Sequence, residues 1–226
     1  MSVSMLLQRW VHLTNVFISI AIGGGVGASV LTSRYFGSRE YRKMKTSVTT
    51  AMLSFLVVSL ILGGTGLFFG QEIMELLNTP ENILEQATEY LNIYFLGLPF
   101  LFMYNILSAM FNAVGRSKIP LYLLIFSSVF NIVLDVVFVR EFHMGVAGAA
   151  LATISSQAVS AFASFVYIQA RVPMLRLTFG DLKINAGLLK DTIDYSLVAG
   201  VQQTVLYLGR ILVQSGVNTL GIDAVA

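Results

Sequence analysis

The chain has 226 residues, 56% of them hydrophobic and 12% charged, with a mean hydropathy of +0.77. A soluble domain carries about 25% charged residues, so this composition describes a polytopic, all-α membrane helix bundle. The net charge of +2 gives no argument for nucleic acid, and no nucleic-acid partner is expected, because the basic residues cluster in loops between apolar runs. With no cysteine, disulfides, thiolate metal sites and cysteine nucleophiles are excluded, and His12 and His143 lie too far apart in sequence to argue for zinc. The start lacks a basic n-region and a small-residue cleavage pattern, so no cleavable leader is read.

Six apolar segments, each near the ~20 residues that cross a bilayer core, fall at about 5–33, 47–70, 89–113, 119–139, 145–170 and 192–219. Three connections are basic: 34–46 with Arg34, Arg39, Arg42, Lys43 and Lys45, 114–118 with Arg116 and Lys118, and 171–190 with Arg171, Arg176, Lys183 and Lys190. They alternate with 71–88, which holds Glu72, Glu75, Glu81 and Glu85 and no Lys or Arg. The positive-inside rule places the basic connections in the cytoplasm and the short turn REFHMG outside. The first helix then starts outside with nothing before it to carry it there, and the last ends outside near Thr219. Both ends are read as cut from a longer chain.

In the first helix GGGVGAS sets Gly23 and Gly27 at GxxxG spacing, which serves close helix packing. A phosphate-cradling loop would need a strand before it and a soluble helix after it. Gln8, His12, Asn15 and Ser19 form one polar stripe, on which a lone His is read as hydrogen-bonded structure before a proton relay. The second helix repeats the packing spacing at Gly66 and Gly70. The acidic stretch after it is read as a solvated amphipathic turn, not a cation trap. In the third, Pro99 interrupts LGLPFLF, and Asn105, Ser108 and Asn112 share a face.

The fourth helix, SKIPLYLLIFSSVFNIVLDVVFV, carries the one acidic residue of the chain's twelve placed at hydrocarbon depth, Asp135. An ionisable group there is costly and marks a functional site. Pro120 opens this helix where a missing N–H does no harm. Ser127, Asn131 and Asp135 stack at four-residue intervals on one face. On the fifth helix Thr153, Ser156, Gln157, Ser160 and Ser164 recur at helical spacing. Asp135 lies roughly 9 Å and Thr153 roughly 12 Å from the connecting turn at 1.5 Å per residue. An antiparallel hairpin therefore brings Asp135, Asn131 and Thr153 to one level. This oxygen cluster with a single negative charge suits a hydrated monovalent cation, Na⁺ being the metal candidate, or a proton. Segment 171–191 is basic, amphipathic and too long for a tight turn, the best linker in the chain. The last helix carries Gln202, Gln203, Tyr207, Arg210 and Gln214. Arg210, inside the membrane, has three options: to snorkel outward, to pair with Asp135, or to face an aqueous cavity.

The run GGGVGASVLTSRYFGSRE, then AMFNAVGRSKIP, then FNIVLDVVF with MGVAGAALAT, resembles the MATE (multidrug and toxic compound extrusion) transporters over essentially the whole chain. Against that family the chain looks like the second through seventh helices. The resemblance implies five amino-terminal-lobe helices over 1–171, a cytoplasmic interlobe linker at 172–191, and the first helix of the carboxy-terminal lobe at 192–226. The parent would be a twelve-helix, two-lobe antiporter, a monomer at full length, in the bacterial inner membrane. It would export small organic cations as Na⁺ or H⁺ enters, with no cofactor. Asn131, Asp135 and Thr153 match the family's amino-lobe cation site, while the Asp on the family's first helix has no counterpart. VAGVQQTVLYLG has Gln202 and Gln203 where the NorM-like branch has a Glu, which leans toward the DinF-like branch.

His12, Asn15, Asn105, Asn112, Gln157, Gln203, Tyr207 and Arg210 are the candidates to line the route, with Met and aromatic side chains holding a greasy cation. The rival transporter reading is a lipid-linked oligosaccharide flippase of the same superfamily; a different class is a non-transporting truncated relic. An enzyme is not expected, because no Ser/Lys, His/Asp or paired-carboxylate arrangement appears at one depth.

Overall fold

The computed structural model describes residues 3–76 and 79–219, leaving out the side chains of residues 3–16, 179, 211 and 214–219. The described residues form helices and turns: α1 (Val3–Gly37), α2 (Tyr41–Phe68), α3 (Gly70–Leu76), α4 (Glu81–Ala113), α5 (Lys118–Asp135), α6 (Gly145–Arg171) and α7 (Ala186–Thr219). A π-helical turn, Val136–Glu141, prolongs α5, and two 3₁₀ turns, Pro173–Leu175 and Phe179–Asp181, lie between α6 and α7.

Several boundaries differ from the sequence expectation, each for a local reason. The basic stretch 34–46 is mostly helix, and only 38–40 forms the turn. Glu40 N–H reaches back to the Tyr35 carbonyl at 2.9 Å while Arg39 takes the left-handed conformation at φ 60°, a Schellman-type stop. The same device ends α4, with Gly115 at φ 75° and Arg116 N–H on the Phe111 carbonyl at 2.8 Å. The acidic stretch 71–88 is helical in α3 up to Leu76 and again in α4 from Glu81, and Met74 of α3, wholly buried, holds the first of these turns against the core. The α-helical ladder of α5 stops at Asp135 and continues with a wider winding. The linker is 172–185, shorter than 171–191, because Asn185 caps α7: its Oδ1 accepts from Leu188 N–H at 3.0 Å.

Five helices are long and apolar enough to cross a membrane: Phe17–Gly37, Tyr41–Phe68, Glu81–Ala113, Lys118–Glu141 and Gly145–Arg171. The described part of α7, expected as a sixth span, is not in that set; its first turns contain Lys190, Asp191 and Asp194.

The bundle is organised around α4, which packs against α1, α2 and α6. Its Phe95, Phe102 and Phe111 are fully buried. Phe95 meets Phe17 edge-on at 5.4 Å, and Phe111 meets Tyr167 at 5.8 Å. Small residues on the neighbours make room: a Cβ on Gly66 would stand 2.5 Å from the Phe95 ring, and one on Gly63 would stand 2.8 Å from the Phe95 carbonyl. The GxxxG expectation for α1 is met likewise, since Gly23 and Gly27 are where Ser196 and Gly200 of α7 press against the α1 backbone.

Candidate functional site

α5 and α6 pack antiparallel, and Ser127 Oγ donates to the Ser156 carbonyl at 3.3 Å. Counting from that bond, each step forward on α5 is one step back on α6. Asn131 therefore stands at the level of Ala152 and Thr153, and Asp135 at that of Gly148 and Ala149. Asp135, Asn131 and Thr153 are all half-buried. The Thr153 hydroxyl proton is committed to the Ala149 carbonyl at 3.0 Å, which leaves its oxygen lone pairs free to accept or coordinate. The Asn131 amide nitrogen is buried with no hydrogen-bond partner. A donor left so costs about 1–3 kcal/mol, a structural loss that calls for another explanation.

Asp135 is the last α-helical residue before the π turn, and π turns inserted in helices are common at functional sites. Among the described residues it has no basic partner within ion-pair distance; the ion pairs there are Lys43 with Glu40 and Arg140 with Glu141. One group missed in the sequence lies close enough to feel its charge: the phenol of Tyr90, on α4. Tyr94, one turn further along α4, is buried with an unpartnered hydroxyl. The paired tyrosines at four-residue spacing on the acidic end of α4 were the available sequence signal.

The other candidates divide. Tyr207 lines an apolar cleft of about 530 Å³ with Ser19 and Gly23 of α1, Phe55 of α2, and Gly200 and Thr204 of α7. That cleft lies apart from Asp135, because α7 packs on α1 and α2 and, among the described residues, makes no contact with α5. The expected option of an Arg210–Asp135 ion pair is thereby corrected: Arg210 is exposed on a helix that does not reach α5. Asn105 spends its amide on the Leu101 carbonyl of its own helix at 2.8 Å, Asn112 is exposed, and Gln157 and Gln203 are half-buried. The side chains of His12 and Asn15 lie outside the described residues. At the acidic end, Glu81, Glu85 and Glu89 border an open cleft of about 630 Å³ with Gln71 and Thr88; these glutamates are exposed, as a solvated face requires.

A family model described as MatE matches residues 9–137, more than half of the chain. YpnP, a probable multidrug resistance protein of Bacillus subtilis (strain 168), is 31% identical over 211 residues, covering 92% of this chain and 46% of its own length. The multidrug export protein MepA of Staphylococcus haemolyticus (strain JCSC1435) is 26% identical over 202 residues, covering 89% and 45%. The chain thus spans about half the length of the curated relatives it matches. Among solved structures, a MATE in complex with MaL6 superposes with a TM-score of 0.86 at 22% identity, covering 96% of this chain and 48% of that one. The outward-facing conformation of a multidrug resistance MATE family transporter of the MOP superfamily gives 0.84, with the same identity and coverage. At that identity the structures speak for the fold, which corresponds to about half of a twelve-helix transporter. With the sequence match they lead to one conclusion: this multi-pass membrane chain belongs to the MATE family, whose members are transporters and not enzymes.

Proposed function

We propose that the protein works in secondary-active export of small organic cations, exchanging them for Na⁺ or H⁺, with Asp135 as the ion handle and Asn131 and Thr153 as its neutral ligands. The observation that carries this reading is Asp135 itself, half-buried and without a basic partner among the described residues, one turn from Asn131 and near the level of Thr153. A half-buried carboxylate without a cation favours a different packing from one that is protonated or Na⁺-bound, because neutralisation removes its desolvation cost. Ion and substrate then compete by favouring different arrangements of the same helices. A single carboxylate with amide and hydroxyl oxygens suits a monovalent cation or a proton. The names of YpnP and MepA support drugs as cargo. Gln202 and Gln203, where a carboxylate would otherwise stand, favour the DinF-like branch. The basic ends of the helices would face the cytoplasm; the family resemblance adds the expectation of a bacterial plasma membrane and of a monomer at full length.

Asp135→Asn tests the reading. In cells producing the protein at the length of its relatives, ethidium efflux is expected to fall to the level of cells without it. The purified variant is expected to lose any shift of thermal stability on adding Na⁺ or changing pH. Unimpaired efflux by the variant would sink the proposal.

A further inference from the structure

Residues 172–185 have the composition of a tether, with Pro173, Gly180 and several charges. They are instead bonded along their length. Val172 and Leu175 are buried to 0% and 1% exposure in the core that α4 organises. Gln169, near the end of α6, grips the main chain of Leu177 with both ends of its amide: Nε2 donates to the carbonyl at 3.0 Å, and the Leu177 N–H donates to Oε1 at 3.1 Å. Thr178 closes a tight turn by donating its N–H and hydroxyl to Asp181 at 2.9 and 2.7 Å. Those bonds hold the Asp181 carboxyl below its ordinary range.

The far end is held by Thr50 of α2, which is wholly buried. Its hydroxyl donates to the Lys183 carbonyl at 3.3 Å and accepts from Asn185 N–H at 3.1 Å. This use is unusual within its own helix. Thr46, Thr49, Ser59 and Thr65 all bond back to α2 carbonyls three or four residues earlier. Asn185 then caps α7, and Thr192 and Ser196, about two and three turns on, meet Gly27 of α1.

We propose that residues 172–185 form a rigid strap, pinned to the bundle by Gln169 and Thr50, that sets the register of α7 against the glycine seam of α1. The two positioning residues act at separate points. Gln169 fixes the middle of the strap and Thr50 fixes the residue from which α7 starts. The proposal does not rest on the ion site, and it holds or fails whether or not Asp135 carries coupling.

The exposed Arg176 and Lys183 are trypsin sites on either side of the turn, and the absence of cysteine makes spin labelling clean. In the full chain, in detergent or inside-out vesicles, both sites are expected to resist trypsin. Gln169→Leu should speed cutting at Arg176 at least tenfold and leave Lys183 protected; Thr50→Val should do the reverse; Thr50→Ser, which keeps the hydroxyl, should behave as the parent. With nitroxides on Ser33→Cys of α1 and Asp191→Cys of α7, both exposed positions, the spin–spin distance should be narrow in the parent and broaden or shift with Thr50→Val. A variant that fails to accumulate leaves the other single variant and its own site as the test. A parental strap cut as fast as the heat-unfolded chain, or a spin–spin distance indifferent to Thr50→Val, overturns the proposal.

Discussion

α4 and α5 follow one another across residues 114–117, and hydropathy makes α5 the more obvious core helix. The structure reverses that order: 11 of the 33 residues of α4 are buried and none of the 18 of α5. Apolarity in a bilayer reports that the surrounding solvent is lipid and says little about neighbours. What seats α4 is shape, with its Phe95 ring lying over Gly66, its Phe95 carbonyl against Gly63, its Phe102 ring against Phe55 and its Gly97 yielding space to Ile154. α5 turns Ile132, Val129 and Val133 outward, each more than half exposed, and offers α6 a polar face instead. A helix held this way can change its contacts at low cost, which suits one that carries an ion handle.

The sharpest way to break this contrast is a pair of truncations. Phe102→Ala in α4 opens a cavity in a site with no exposure and is expected to cost about 3 kcal/mol, mostly through lost packing. Ile132→Ala in α5, at a position 62% exposed, should stay within about 0.5 kcal/mol. Reversible unfolding in mixed micelles measures both. Similar costs at the two positions would mean that α5 is anchored as firmly as α4.

A change of opposite sign comes next. Asn131→Leu replaces a buried amide nitrogen that has no acceptor and is expected to stabilise the fold by about 1 kcal/mol. On the proposed function the same variant loses ion binding, the trade seen where a site is kept at the expense of stability. A destabilised Asn131→Leu would show that the amide does structural service on α5.

Much of this was legible beforehand, and the parts that were not share a cause. The helices announced themselves by hydropathy, and the glycine seams by spacing, because Gly23, Gly27 and Gly66 act through local sequence alone. The polar face of α5 was readable from the four-residue interval of Ser127, Asn131 and Asp135. Hydropathy cannot tell an i→i−4 ladder from an i→i−5 one, so the π turn after Asp135 was read as a straight continuation. Tyr90 was hidden because it feels the charge of Asp135 through space, from a distant segment of the chain. Thr50 and Gln169 were hidden for the same reason, since nothing in their own helices distinguishes them from hydroxyls and amides that bond locally. Arg210 was granted a reach toward Asp135 that only the placement of α7 could deny.

The finest probe of the contrast is the bond that ties α5 to α6. Ser127 Oγ sits 3.3 Å from the Ser156 carbonyl, a long bond to an oxygen that also serves the backbone of its helix. Interhelical hydrogen bonds of this kind in membrane bundles average about 0.6 kcal/mol, because the unfolded chain in lipid or detergent finds other partners. Ser127→Ala should therefore cost about 0.6 kcal/mol, well below Phe102→Ala, measured in the same micelle assay. It should also leave the α5–α6 hairpin in place, since Gly148 still receives Phe138 closely. If the loss instead exceeded ~2 kcal/mol, the value reserved for a buried and unreplaceable partner, the polar face of α5 would be a structural joint. The case for Asp135 and Asn131 as groups kept for ion handling would then lose its physical basis, because their helix would no longer be the loosely held one.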